Sequence, residues 1–187
     1  FTHRFGPDHT WSASRLEAYR DCPFRFFVAH VLGLEPREEP QAGLDARQLG
    51  SIYHRLLEAT YKAAADPTDL ESLLAALGEA AERVLDEAPE REGFRETAWW
   101  AQTREEIVQN VRRSLEALAG LEGGFTPHAY ELPFGLGEAR PLVVEVAGDG
   151  FRLRGVIDRV DRTPDGTVRV IDYKTAGPDG YKPKSLE

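Results

Sequence analysis

Apolar positions follow a helical period over the first two thirds of the chain and a strand period over the last third. Up to residue 122 they recur every three or four residues, which is the spacing of one helix face. Residues 120–127 form a glycine-rich boundary, after which apolar and polar residues alternate as they do on a half-buried strand. The pattern therefore predicts one α+β domain, with helices first and a sheet after them.

Start and stop signals divide these two regions into elements. Ser14 and Glu17 form one predicted capping box and Thr68 and Glu71 another, each of which opens a helix. Pro23 suits the first turn of a further helix. We expect helices over 14–22, 23–32, 50–65, 68–88 and 96–119, and an antiparallel-rich mixed sheet with strands over 129–134, 141–147, 151–162 and 167–174. The rest is predicted as an irregular lead-in (1–11), a loop (35–48), a break (89–93) and a tail without a closing element (176–187).

The turn between the last two predicted strands decides which residues face each other. Residues 164–166 read Pro-Asp-Gly, a common three-residue hairpin closure with glycine in the left-handed position. That closure pairs Thr163 with Thr167 and, five residues further back, Asp158 with Asp172. A four-residue loop would shift the register by one and place the two aspartates on opposite faces of the sheet.

Acidic residues and a lysine give this hairpin its candidate chemistry. In the first register Asp158, Asp172 and Lys174 project together, whereas Asp161 points to the other face. Two opposed carboxylates repel, and a bound divalent cation would offset that repulsion, since carboxylate oxygens suit hard cations. Such an ion can activate water for phosphodiester hydrolysis, and a neighbouring lysine can orient that water. The alternative interpretation is a solvated hairpin face with no site.

Two residues outside the hairpin are further candidates. His54 lies within a strongly predicted helix, where it could ligate a metal or simply pair with Glu58 one turn away. Glu131 lies at the start of a predicted strand and would ordinarily face solvent. The sequence has no phosphate-binding loop with a Lys-Ser/Thr ending, no zinc-type Cys/His spacing and no nucleophile elbow.

Composition limits the class of protein further. A net charge of −9 argues against a protein that coats nucleic acid, but not against an enzyme that meets DNA in a local groove. No apolar run is long enough to span a bilayer and no secretion signal is visible. One cysteine, Cys22, excludes an intrachain disulfide, which fits a cytoplasmic location. The chain begins at Phe1 and contains no methionine, so we expect a piece of a longer polypeptide.

Several ordered motifs together resemble the PD-(D/E)XK nuclease domain of the RecB/AddB type, which ends bacterial ATP-dependent helicase–nucleases. The resemblance runs almost from end to end of the chain. It is carried by Ser-Ala-Ser-Arg-Leu-Glu-x-Tyr-x-x-Cys-Pro-Phe-Arg-Phe-Phe at 12–27, Gly-Ser-Ile-Tyr-His-x-x-Leu-Glu at 50–58, Glu-Leu-Pro-Phe at 131–134, Gly-Val-Ile-Asp-Arg-Val-Asp at 155–161 and Asp-Tyr-Lys-Thr at 172–175.

The resemblance implies a restriction-endonuclease-like fold and roles for individual residues. The metal ligands would be Asp158, Asp172, the main-chain carbonyl of Tyr173 and the imidazole of His54, with Mg²⁺ or Mn²⁺ bound. Glu131 would act near the site through water or a second metal, and Lys174 would position the attacking water. Arg159 and Thr175 would support the site.

The resemblance also implies a biological setting. It predicts a metal-dependent (exo)deoxyribonuclease that works with a helicase domain of the same polypeptide and a partner helicase–nuclease subunit, in double-strand-break processing and recombinational repair. Residues 1–187 would form a single nuclease-domain fragment, with a mainly helical part (1–122), a sheet part carrying the active site (125–175) and a truncated tail (176–187). The alternative is a non-catalytic domain of the same fold that binds DNA or bridges subunits.

Two family features are expected to depend on residues beyond Glu187. A Gln-x-x-x-Tyr helix that positions DNA would follow the lysine, and without it the isolated fragment is expected to be weak or inactive. Cys22 matches the early cysteine of members that bind a 4Fe–4S cluster, whose three later cysteines would lie past Glu187. Since such clusters usually need four thiolates, the cluster is expected in the full-length protein only.

Overall fold

A computed structural model describes residues 5–6, 8–34, 43–121, 123–146 and 148–174. It contains five α-helices and a mixed sheet of five strands, which confirms the predicted α+β class. The helices are α1 (Ala13–Asp21), α2 (Pro23–Phe26), α3 (Ala46–Ala63), α4 (Leu70–Glu92) and α5 (Trp100–Ala119). The strands are β1 (Thr10–Ser12), β2 (Thr126–Phe134), β3 (Leu142–Val146), β4 (Asp149–Arg162) and β5 (Val168–Ile171).

Helix starts differ from prediction where a better capping residue lies nearby. The α1 helix is capped by Ser12 rather than Ser14, because the Ser12 hydroxyl accepts from the amide of Arg15. Asp45 forms a complete capping box with Gln48, so α3 begins four residues before the predicted Gly50 and includes residues 46–48, which were predicted as loop. These caps satisfy amides that the first helical turn leaves without partners.

The predicted break at residues 89–93 is wrong. The α4 helix continues through Pro89 to Glu92 and ends at Gly93, which has the left-handed φ of 73°. Proline removes one hydrogen bond from the helix, but Leu85 and Ala88 are fully buried, and their packing holds the last turn in place. Gly93 then closes the helix by donating its amide to the Pro89 carbonyl.

The chain forms two compact units. The first unit takes its described residues from 1–39 and 131–157, and the second from 40–130 and 158–187, so β2 and β4 each have residues in both. In the first unit, β1 runs parallel to β4 and β3 runs antiparallel to it. The lead-in predicted as irregular therefore ends in a three-residue strand, which is too short to show a period in sequence.

Apolar faces of α3, α4 and α5 form the core of the second unit. Ile52 and Leu56 from α3 and Ile107 and Leu115 from α5 are completely or almost completely buried there. Tyr130 and Tyr173 pack against the edge of this core. The α3 helix is therefore held in place on its apolar side.

The hairpin of β4 and β5 has the predicted register. Thr163 donates its amide to the Thr167 carbonyl at 3.0 Å, and Gly166 has a φ of 91°, as the three-residue loop requires. Ladder pairs run from Arg162 opposite Val168 to Arg159 opposite Ile171. The strand ends three residues earlier than predicted, so the next position of this register, which would join Asp158 and Asp172, lies just past the ladder.

Candidate active site

Three segments of the second unit meet around Asp158. The α3 helix contributes His54, strand β4 contributes Asp158, and the chain leaving β5 contributes Tyr173. Helix α3 holds the imidazole in place because other side chains of the helix are embedded in the core. Residues 119 positions apart in sequence thus lie within hydrogen-bonding range.

Distances show how tightly the three groups converge. His54 Nδ1 lies 3.6 Å from Asp158 Oδ1, and His54 Nε2 lies 3.2 Å from the main-chain carbonyl oxygen of Tyr173. The other carboxylate oxygen, Asp158 Oδ2, accepts from the Tyr173 amide at 2.6 Å. The Tyr173 ring meets the imidazole edge to face, with centroids 5.7 Å apart. A histidine nitrogen, a carboxylate and a carbonyl oxygen are thereby gathered on one side of the hairpin.

Partial burial makes this cluster electrostatically distinct from the surface. The side chain of Asp158 is 10% exposed and that of His54 is 26% exposed. Two opposite charges attract each other more strongly where water is partly excluded. A cation beside the Asp158 carboxylate would therefore be bound more tightly than one beside a fully exposed carboxylate. The carboxylate and carbonyl oxygens suit a hard divalent ion, and a neutral imidazole nitrogen is a common additional metal ligand.

Asp172 and Lys174 lie beyond the last ladder pair and contact each other. Lys174 Nζ donates to Asp172 Oδ1 at 3.0 Å and lies 2.7 Å from Oδ2, and both side chains are 55% exposed. An ion pair with that exposure is weak because water screens it. The Asp172 carboxylate can therefore readily exchange the lysine for another cation. Thr175, predicted as a supporting residue, lies outside the described residues.

Glu131 lies in the part of β2 that belongs to the first unit. Its φ of +45° is the only positive value among the described residues other than glycines. This conformation is strained for a non-glycine residue, and such strain often accompanies functional positions. The sequence alone gives no signal for it, since Glu131 is followed by an ordinary Leu-Pro-Phe strand sequence.

Arg159 and Asp161 form a buried ion network that sequence reasoning did not foresee. Asp161 is fully buried and accepts from Arg159 Nε at 2.5 Å and Nη2 at 3.0 Å, and from Arg169 Nη2 at 2.8 Å. Arg159 also lies over the ring of Tyr61, 4.4 Å from its centroid. The signal was available once the register was known, because Asp161 and Arg169 are ladder partners.

Burial in this region raises the pKa of three tyrosines. It raises the pKa of Tyr130 to about 12 and raises those of Tyr61 and Tyr173, although the charge of Arg159 acts in the opposite direction on all three. For Arg159 itself, burial lowers the pKa, but the hydrogen bond to Asp161 and the neighbouring tyrosines outweigh that and raise it. The guanidinium therefore stays charged beneath the site.

Alkaline pH is expected to destabilise the second unit. Below pH 10 these tyrosines are neutral whether the chain is folded or not, whereas between pH 10 and about 12 only the unfolded chain ionises Tyr130. The unfolded state then binds fewer protons, so the free energy of unfolding falls as the pH rises through this window. Tyrosinate absorbance, recorded together with circular dichroism as the pH is raised, should show a tyrosine that ionises well above pH 10 and that is missing in Tyr130→Phe. Ionisation of every tyrosine near pH 10 while the protein is still folded would contradict this prediction.

A family model for the PD-(D/E)XK nuclease superfamily matches residues 10–187. The chain belongs to the PD-(D/E)XK nuclease superfamily. The sequence Asp172-Tyr173-Lys174 fits the (D/E)XK pattern in the superfamily's name. Superfamily members use divalent metals, and the donor set of Asp158, His54 and the Tyr173 carbonyl fits such an ion.

Curated relatives support the same assignment. The chain is 31% identical over 189 residues to an ATP-dependent helicase/deoxyribonuclease subunit of Acetivibrio thermocellus, covering 94% of this chain and 16% of the relative. Proteins of the same name from Moorella thermoacetica and Symbiobacterium thermophilum are each 33% identical, over 178 and 196 residues, covering 88% and 94% of this chain and 15% and 16% of the relative. The chain thus spans about a sixth of the length of these nuclease relatives.

Two further observations bear on cofactors and location of this superfamily member. Cys22 is exposed and caps α2, its sulfur accepting from the Arg25 amide at 3.4 Å. Because the sequence has one cysteine, the residues present do not fit a 4Fe–4S cluster, which usually takes four thiolates. Within the described residues, none of the helices has the length and apolar character needed to cross a membrane.

Proposed function

We propose that this chain is a metal-dependent DNA nuclease domain that hydrolyses phosphodiester bonds. The observation that carries the proposal is the convergence of His54, Asp158 and the Tyr173 carbonyl, three donors from three separate segments. A solvated hairpin face would not require an α-helix to place an imidazole against the hairpin's half-buried carboxylate.

Each residue has a distinct proposed role. Asp158, His54 and the Tyr173 carbonyl hold Mg²⁺ or Mn²⁺. Asp172 completes the ligand set when its carboxylate leaves its weak ion pair with Lys174 and binds the metal instead. Lys174 orients the attacking water and stabilises negative charge that develops on the phosphate. When bound, the divalent ion lowers the pKa of water and offsets the charge of the phosphoryl group.

Glu131 and Arg159 complete the proposal. Glu131 takes part in the same reaction, through water or a second metal, as the family resemblance implies. Its positive φ supports a functional role, since strain of that kind persists only where the surrounding fold imposes it. Arg159 supports the site from within the fold, where it neutralises the buried Asp161.

The proposed setting follows from the names of the relatives. Those proteins are ATP-dependent helicase/deoxyribonuclease subunits, so we propose that this domain acts in the cytoplasm on DNA delivered by a helicase domain of the same polypeptide, together with a partner subunit. The process would be double-strand-break processing and recombinational repair. Cutting is expected mainly on single strands, because a helicase separates the duplex ahead of the nuclease.

Cleavage of end-labelled DNA tests the proposal. Single-stranded DNA incubated with Mg²⁺ and the full-length polypeptide that contains this domain should be hydrolysed, and a chelator should stop the reaction. Lys174→Ala should lower the rate by about 100-fold, the usual cost of one group that stabilises developing charge. The matched control is Lys62→Ala, an exposed lysine on α3 that pairs with Glu58 and should leave the rate unchanged. If the full-length polypeptide binds DNA but cleaves it with none of the divalent metals, the proposal is overturned and a non-catalytic domain of this fold is favoured.

A further inference from the structure

The ladder that delivers the candidate metal ligands is short. In the second unit, β4 and β5 share four pairs, from Arg162 opposite Val168 to Arg159 opposite Ile171. Asp158 and Tyr173 lie just past its end, so their meeting depends on the register of those four pairs. A slip of one residue moves every side chain of a strand to the opposite face, and a short ladder by itself resists such a slip weakly.

The buried ion network fixes this register. Asp161 is fully buried and lies directly opposite Arg169, which contacts one of its carboxylate oxygens at 2.8 and 3.2 Å. A slip of one residue would place Asp161 opposite Val168 or Val170, leaving a buried carboxylate facing an apolar side chain. Buried charges that lose one partner are costly, and specifying a register is the best-attested use of buried ionic groups.

The same network also reaches α3, the helix that carries His54. Arg159 lies over the ring of Tyr61, and that ring stacks on Tyr130 at 5.3 Å. Tyr61 is two helical turns after His54, so both residues lie on the same side of α3. Arg159 directly follows Asp158 in the chain. The network thus fixes the hairpin against the side of α3 from which the imidazole extends.

Arg159 lies opposite Ile171, and Tyr173 follows Ile171 by two residues, so a continuation of this register would make Arg159 and Tyr173 diagonal neighbours on one face of the hairpin. Arg159 Nη1 and the Tyr173 hydroxyl oxygen are both buried, and neither has a partner at ordinary hydrogen-bond geometry among the described residues. The two groups complement each other, since one has a proton to donate and the other an unused lone pair.

We propose that Arg159, within the buried network of Arg159, Asp161 and Arg169, is a positioning residue for the metal site and acts through Tyr173. By fixing the ring of Tyr173 and the hairpin register, it fixes the main-chain amide that binds Asp158 and the carbonyl that faces His54. The effect on the metal rests on the proposed function, whereas the effect on the Tyr173 main chain does not.

Two conservative variants test the positioning role. Tyr173→Phe removes only the hydroxyl, and Arg159→Lys keeps the charge but loses the planar fork that binds Asp161. Amide hydrogen exchange should show at least about 10-fold lower protection of the residue 173 amide in both variants, with protection in the core of α4 unchanged. Calorimetry should show at least about 10-fold weaker Mn²⁺ binding. Arg162→Lys, an exposed arginine of the same strand, is the matched control and should change neither quantity.

The outcomes separate this inference from the proposed function. Unchanged protection of the residue 173 amide in Tyr173→Phe would overturn the inference, whatever happens to Mn²⁺. If the wild-type protein binds no Mn²⁺ but both variants still lose amide protection, the positioning role stands and the metal site is wrong. Should Arg159→Lys fail to fold, Tyr173→Phe decides alone, because removing a single hydroxyl while keeping the ring leaves the fold intact.

Discussion

Replacing Asp158 with asparagine is expected to lower the rate of DNA hydrolysis by about 1,000-fold while the protein stays folded. Asparagine keeps the size of the side chain and can still accept from the Tyr173 amide, so the hairpin survives. The variant loses the negative charge that holds a divalent ion, and such an ion contributes several kcal/mol to stabilising the transition state, where each ~1.4 kcal/mol is tenfold in rate. Initial cleavage rates of the full-length polypeptide at saturating Mg²⁺ provide the measurement.

Asp165→Asn is the matched control for that prediction. Asp165 is an exposed aspartate at the tip of the same hairpin, where its carboxylate binds the hydroxyls of Thr163 and Thr167. Asparagine is equally suited to such a turn, so stability and activity should both be retained. Equal loss of activity in the two variants would show that general negative charge on the hairpin matters, rather than a metal ligand at Asp158.

Replacing Asp161 with alanine is expected to lower the free energy of unfolding by about 3–5 kcal/mol, the usual cost of removing one partner from a buried ion pair. Asp161 is fully buried, and Arg159 would then remain buried with its charge uncompensated. Arg169, which also contacts Asp161, would lose its partner across the ladder. Urea denaturation followed by circular dichroism measures the change.

Asp149→Ala tests whether this loss comes from burial rather than from net charge. Asp149 is an exposed aspartate at the start of the same strand, and its removal changes the net charge by the same amount. Surface substitutions of that kind usually alter stability by less than about 0.5 kcal/mol. A loss of similar size in both variants would mean that the buried network contributes little to the folded state.

Local signals in the sequence predicted the hairpin well. The Pro-Asp-Gly closure determined the loop length, and the loop length determined that Arg159 faces Ile171. Turn chemistry acts over a few residues, so it can be evaluated without knowing the rest of the fold. The C-terminal end of β5 was predicted at Lys174, but the strand ends at Ile171. The prediction was wrong because Asp172 and Lys174 continue the alternating pattern past the last ladder pair.

Features that depend on contacts between distant segments were not predictable from pattern alone. Several neighbouring residues could cap α3 and α4, and the sequence pattern does not show which of them does so. In the structure Asp45 caps α3 and Asp69 caps α4, so the helices begin at Ala46 and Leu70. The family resemblance named His54 as a ligand, but its approach to Asp158 follows from the packing of α3 on its core. The burial of Asp161 likewise follows from tertiary structure, since an aspartate in a strand usually faces water.

Calorimetric titration of Mn²⁺ into the wild-type protein and into Asp158→Asn tests the central claim most directly. Metal binding does not require DNA to be positioned, so the result is independent of how efficiently the protein cleaves. The convergence of Asp158, His54 and the Tyr173 carbonyl predicts binding near one equivalent in the wild type and its loss in the folded variant. Absence of binding to folded wild-type protein, or equal binding by the two proteins, would contradict a metal site at Asp158.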